Sequence, residues 1–361
     1  MIRRGLLALL LLVATACGGD GDGGAASPTP APSTAAPTSA APTSAAPTPS
    51  ATPSLAALPA AVTARIHVGR SLGGPGFPGG WVVAFGSVWV PEGSSGELTR
   101  FAISSGQQTV IKVGDPTKDA VGIDPNAATV AGNRIAVTDR AAKAVAFVDP
   151  VTNAVATTVD VGVAAYGIAV EGDTVWATDY ENGVVVRTST RTGKVLGTSK
   201  VPGAEGVVAT ASAAWVASET GAVYRVDATT GASLLVPGST GGNIETLALG
   251  GGSVWALDKQ AGRVLRVDPA TSRVVAKVPV VLGEQADAGI CFGAGTLWVV
   301  GSPAGRNVLG ISASTNRLVA GATLPVGTQS CAFGSSLVWT FSAESASDGD
   351  EILGLDPRAI L

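Results

Sequence analysis

Carboxylates recur in this chain at places where a repeated turn closes a β-strand: Glu92, Asp139, Asp179 and Asp258. Further acids stand in the segments that lead into the next strand, namely Asp115, Asp119, Asp124, Glu205, Glu245, Glu284 and Asp287. Carboxylates gathered at one mouth bind a divalent cation or a cationic ligand, or attract a basic partner. The spacing singles out Glu92, Asp139, Asp179 and Asp258, together with Asp119 and Asp124 of the longest connecting loop, as a candidate binding rim. The alternative is a solvated rim whose Asp residues cap turns. No D-x-D-x-D-G calcium loop appears, so no metal ligands are assigned, although an acidic ring leaves a divalent cation open as a cofactor.

Nucleophilic and acid–base chemistry finds little support. His67 is the only histidine, and it falls in a lone strand ahead of the repeated units. No G-x-S-x-G elbow is present, so no catalytic residue is assigned. The three cysteines are Cys17, Cys291 and Cys331.

The elements that position these groups follow from an internal repeat. Tryptophan returns at a nearly fixed interval, at Trp89, Trp176, Trp215, Trp255, Trp298 and Trp339, and Ala136 holds the place in a further copy. Seven units of about 40 residues, each with four short strands, define a β-propeller. The unit 166–203 shows the pattern: β-branched runs are separated by Glu171-Gly172-Asp173, Tyr180-Glu181-Asn182-Gly183 and Thr190-Arg191-Thr192-Gly193. Such runs bounded by Gly, Asn and Asp are antiparallel hairpins. The tryptophans, one per blade, fill the gaps between neighbouring sheets. Trp81, eight residues before Trp89, is read as a core residue of the first inner strand. Asp149, Asp227, Asp268 and Asp356 end third strands as turn caps.

The ends predict how the ring closes. The last unit stops at Leu361 without an outer strand, whereas residues 63–69 form a strand with no unit of their own. That N-terminal strand is expected to complete the seventh blade, leaving no open edge. The fold expected is therefore all-β, a seven-bladed propeller of four-stranded antiparallel blades spanning 61–361.

Cys291 and Cys331 both lie on inner strands, in blades six and seven. They stand seven and eight residues before the tryptophan, so opposite parity turns their side chains toward opposite neighbours. A facing pair across a blade boundary suits a disulfide in an oxidising compartment; two free buried thiols are the alternative.

Two resemblances rest on these repeats. VTDRAAKAVAFVDPVTNAVATTVDVG (137–162) and RVLRVDPATSRVVAKVPV (263–280) resemble the YVTN-type propeller repeat of exported lipoproteins, which implies fold and not activity. AAYGIAVEGDTVWATDYENGVVVRTST (164–190) is similar to the repeats of the virginiamycin B lyase family, seven-bladed enzymes that open streptogramin lactones. That family implies a histidine general base within the ring, and this chain has none there, so the role carries over to no position.

The N-terminus sets the location. Arg3 and Arg4, an apolar stretch from Gly5 to Val13, and Ala14-Thr15-Ala16 before Cys17 form an export signal over 1–16. Its end resembles a bacterial lipobox, which implies diacylglyceryl modification of Cys17. The alternative is an ordinary secretory signal followed by a chance cysteine. Residues 17–60 are rich in Ala, Pro, Ser and Thr, with no charge from Gly23 to Ala64, the composition of a disordered tether. With a formal charge of −4 and no basic patch, nucleic acid is excluded as a partner.

The expectation is a monomeric lipoprotein anchored on the extracytoplasmic face of the cell membrane. Its propeller would bind a ligand, an envelope protein or a cell-wall component. The rival expectation is a lyase-like or lactonase-like enzyme using rim carboxylates and a divalent metal.

Overall fold

A computed structural model describes residues 60–69, 80–120, 122–282, 288–301, 308–324, 328–342 and 350–361. The signal segment, Cys17, the tether up to residue 59, Glu284 and Asp287 lie outside these residues.

Seven four-stranded antiparallel sheets form a ring. Blade one runs Val82–Ala84, Ser87–Glu92, Glu97–Ala102 and Gln108–Lys112 from the inside outward. Blade two is Ala128–Ala131, Arg134–Asp139, Ala144–Asp149 and Ala154–Asp160; blade three is Ile168–Glu171, Thr174–Asp179, Val184–Ser189 and Val195–Lys200. Blade four is Ala204–Thr210, Ala213–Ser218, Ala222–Asp227 and Ser233–Leu235; blade five is Ile244–Gly250, Ser253–Asp258, Arg263–Asp268 and Arg273–Pro279. Blade six is Gly289–Gly293, Thr296–Val300, Val308–Ser312 and Leu318–Ala322. In blade seven, Thr328–Gly334, Leu337–Ser342 and Glu351–Leu355 are followed on the outside by Val62–His67.

Burial grades outward across each sheet. In blade three the second and third strands are almost wholly buried, whereas the outer strand buries only Ser199. The turns carry the side chains that fix them. Asp149 accepts the backbone N–H groups of Val151 and Thr152, and Asp227 those of Thr229 and Thr230. Asp356 caps the short helix Pro357–Ile360 rather than a hairpin.

The six second-strand tryptophans are all but fully buried. Each packs into the next blade: Trp89 meets Ile135, Val137 and Ala146 of blade two. Small residues on inner strands make room for the neighbour. A Cβ at Gly293 would overlap the ring of Phe333 in the next blade. Trp81 is buried as expected, but it stands just before the inner strand, which starts at Val82. Its indole N–H donates to the Ser330 hydroxyl of blade seven at 2.6 Å.

The outer strand of blade seven pairs antiparallel with Glu351–Leu355, from Val62 opposite Leu355 to His67 opposite Glu351. The ladder extends at both ends, with Asp356 N–H donating to Ala61 O at 2.8 Å and Val68 N–H to Asp350 O at 2.9 Å. A disulfide joins Cys291 to Cys331, with Cα atoms 5.4 Å apart, and so links blades six and seven.

Ile66 is the buried anchor of the closing strand, packed with Phe341 and Ile352. Truncating a buried aliphatic side chain costs about 2–5 kcal/mol. Ile66→Ala is expected to destabilise the whole propeller by that amount, read as a lower urea midpoint at unchanged slope. An unchanged midpoint would mean that this strand lies outside the cooperative unit.

Candidate binding rim

The turns between second and third strands share one rim with the segments entering the inner strands. Two positions recur on this rim. Ten residues before the tryptophan place stand Asn126, Tyr166, Glu205 and Glu245, in blades two to five. One residue beyond the second strand stand Arg140, Tyr180, Glu219 and Lys259, in the same four blades. Polar chemistry is therefore concentrated over four consecutive blades.

The six acids expected to form an open ring are largely turned into the protein. Glu92, Asp124, Asp179 and Asp258 are buried. Glu92 accepts the Thr99 hydroxyl. Asp179 accepts Asn182 N–H at 2.9 Å, and Asp258 accepts Ala261 N–H at 3.0 Å and Arg263 Nε at 2.9 Å. Asp124 accepts the backbone N–H groups of Asp115, Arg140 and Ala141. Asp119 pairs with Arg140 Nε at 3.2 Å. Asp139 accepts Ala142 N–H at 3.0 Å, and burial, with Asp124 adding to it, pushes its carboxyl upward. The cause of this placement is the hairpin: unpaired N–H groups at the strand end are satisfied most cheaply by a short acid at that position.

Glu205 stands apart from these six. It is buried, and its Oε2 has no hydrogen-bond partner. Backbone contacts hold it: the Thr178 hydroxyl donates to Glu205 O at 2.6 Å. Gly167 permits this approach, because a Cβ there would stand 2.5 Å from the same oxygen. Burial first, then the nearby charges of Glu245 and Glu219, push the Glu205 carboxyl up to about 8, with Lys259 opposing. Glu205 therefore holds its proton at neutral pH.

The surroundings are aromatic and charged. The Tyr166 and Tyr180 ring centroids are 5.5 Å apart. Hydrogen bonding to Glu219, ahead of burial, pushes the Tyr180 phenol up to about 12. Tyr166 is also pushed well upward, by burial and then by Glu205. The buried guanidinium of Arg140 lies over the Tyr166 ring at 5.3 Å and reaches Glu181 at 3.2 Å. Lys259 Nζ pairs with Glu245 at 2.7 Å. Asn126 Nδ2 donates to Tyr166 O, while Asn126 Oδ1 is buried without a partner. Orphaned oxygens thus stand in blades two and four of the arc.

Sequence reasoning named Glu205 and Glu245 among the rim acids but missed Asn126, Arg140, Tyr166, Tyr180, Glu219 and Lys259. The signal was present: the two repeat positions, read across blades, mark all eight residues. Among the described residues no three His, Cys, Asp or Glu side chains are grouped to hold a metal ion. His67 is exposed on the closing outer strand.

No protein-family model matches this chain, and no curated protein matches it by sequence. Solved structures do resemble it. Virginiamycin B lyase from Staphylococcus aureus aligns with a TM-score of 0.63 at 16% identity, over 81% of this chain and 98% of the lyase. A streptogramin B lyase aligns with a TM-score of 0.64 at 15% identity, over 82% and 99%. A chain of a mitotic checkpoint complex aligns as well, with a TM-score of 0.65 at 12% identity, over 85% and 96%. Identities this low define a class by fold alone, the seven-bladed propeller.

The Glu205 carboxyl binds its proton more tightly in the folded state than in the unfolded chain, where it titrates near 4.5. Its folding contribution is therefore intact below that value and is lost as pH rises toward about 8. Glu205→Gln, which keeps the shape without the charge, is expected to melt higher than wild type at pH 8. The gap should narrow as pH falls and close below about pH 4.5. A gap independent of pH would show that Glu205 ionises normally.

Proposed function

We propose that this chain is a lipid-anchored extracytoplasmic binding protein, with its recognition surface on the rim of blades two to five. The observation that carries this reading is the buried, unpartnered Glu205 Oε2 beside Tyr166, Tyr180, Glu219 and Glu245. A buried acceptor without a partner costs about 1–3 kcal/mol, which an incoming donor recovers. Orphaned acceptors, carboxylates and aromatic faces suit a partner that presents N–H donors or ammonium groups, such as a peptide-bearing cell-wall component or an envelope protein. The acids of the second-strand turns, Glu92, Asp139, Asp179 and Asp258, add negative potential behind this surface. Diacylation at Cys17 would hold the protein at the membrane, since one acyl chain gives only marginal anchoring and two give stable anchoring.

Anchoring is tested by fractionation. Wild type should sediment with membranes and incorporate labelled fatty acid, whereas Cys17→Ser should do neither. Recognition is tested by pull-down from detergent-solubilised envelope with wild type and with Glu219→Ala/Glu245→Ala, folding being checked by circular dichroism. A species lost with the double variant supports the reading, and identical recovery of every species overturns it.

A second reading draws on one specific observation. A carboxyl titrating near 8 can act as a general acid or base at neutral pH, and the structural neighbours include lyases that bear this fold. Glu205 would then take the part of a proton-transfer residue in a lyase-like or lactonase-like reaction, with or without a divalent ion. Incubation with virginiamycin B, with and without magnesium, separates the readings. A ring-opened product that Glu205→Gln fails to form would favour the enzyme, and intact substrate would remove it.

A further inference from the structure

One seam of the ring lacks the filling that other seams receive. In blades one, three and five a second-strand tryptophan lies beneath an arginine of the third strand. Arg100 covers Trp89 at 5.1 Å, Arg187 covers Trp176 at 5.7 Å and Arg266 covers Trp255 at 5.0 Å. Each arginine also reaches a carbonyl in the following blade: Arg100 Nη1 to Pro150 O at 2.7 Å, Arg187 Nη1 to Ala228 O, and Arg266 Nη1 to Ala313 O at 2.6 Å. The indole N–H donates to the carbonyl five residues back in blades one, five, six and seven.

In blade two the same two cross-strand partners are Ala136 and Phe147. Neither an indole nor a guanidinium is available to that seam from these positions. An open cleft of about 280 Å³ lies there, on the rim opposite the candidate site, with Phe147, Val159 and Val170 as apolar walls. Ala131 and Thr190 also line it. Ala131 is the residue whose carbonyl would receive the indole N–H. Thr190 is the counterpart of Pro150, Ala228 and Ala313, whose carbonyls receive the guanidinium. One cation does line the cleft: Arg134, which replaces the serine that supports the arginine in blades one and five. Arg134 makes no side-chain hydrogen bond or ion pair with another described residue.

We propose that this cleft is a second binding site, for a small aromatic carboxylate whose ring carries an N–H donor. The ring takes the space that tryptophan fills in other blades, against Phe147, Val159 and Val170. Its N–H meets the Ala131 carbonyl, as the indole does in four other blades. The carboxylate meets the Arg134 guanidinium, two residues closer to the rim than Ala136 on the same strand face, so the acid lies at the mouth and the ring within. The requirement for a flat ring is read from six internal copies of the group that is absent. The requirement for an acid is read from an uncompensated guanidinium.

The test is isothermal titration calorimetry of the detergent-solubilised full chain with indole-3-acetate, and with the uncharged indole-3-ethanol in parallel. Wild type is expected to bind indole-3-acetate saturably. Ala136→Trp/Phe147→Arg introduces the pair found in blades one, three and five and fills the cleft, so it should weaken binding at least about tenfold. Should the double variant fail to fold, Ala136→Leu serves as a smaller plug with the same expected direction. Arg134→Gln should weaken indole-3-acetate about tenfold and leave indole-3-ethanol within about twofold, because only the acid uses the guanidinium. Glu205→Gln should leave both affinities unchanged, which separates this cleft from the opposite rim. No saturable heat from wild type, undiminished binding by the filled variants, or loss of binding in Glu205→Gln would each overturn the proposal.

Discussion

The seam between neighbouring blades is the constraint on which this structure depends. Each sheet is too small to bury its own faces, so stability comes from what fills the space between sheets. Tryptophan fills six of seven seams, and at three of them an arginine both covers the indole and binds the next blade. The side chain is large, flat and carries one donor, which in blades one, five, six and seven finds a carbonyl on its own blade. The ring closes because a strand from the other end of the chain completes the seventh sheet by backbone pairing, and the disulfide fastens an adjacent boundary.

A rigid ring allows a rim to hold groups in costly states. Glu205 is buried among acids with one oxygen unpartnered, an arrangement that a mobile loop would relax. Here it persists because its backbone is tied between Thr178 and Gly167 of the preceding blade. The same rigidity explains why a seam with Ala136 in the tryptophan place keeps a cleft and does not collapse: the flanking seams set the separation of blades two and three. Phe147 closes part of the gap but brings no polar group to the carbonyls.

Most of the architecture was legible because it is written in period. The tryptophan spacing marked seven units with Ala136 among them, and the missing outer strand at the C-terminus pointed to the strand at 63–69. The rim was legible only in part. Reading charge alone selected Asp139, Asp179 and Asp258, whose carboxylates mainly cap their own turns. Glu205 differs from them by one rule that sequence charge does not contain: its side chain enters the seam without a backbone N–H to meet it. Tyr166 and Tyr180 were passed over because single tyrosines have no spacing signal until the repeat positions are aligned. Trp81 shows a smaller gap of the same kind, since periodicity placed it within a strand that starts one residue later.

The account stands most directly on the protonation of Glu205. Carbon-13 NMR of its carboxyl carbon, assigned by comparison with Glu205→Gln and followed from pH 4 to pH 10, reads that state without reference to stability or ligand. A midpoint near 8 is the result predicted by a buried carboxyl facing Glu219 and Glu245. A midpoint near 4.5, the ordinary value, would contradict it and return the rim to a solvated surface.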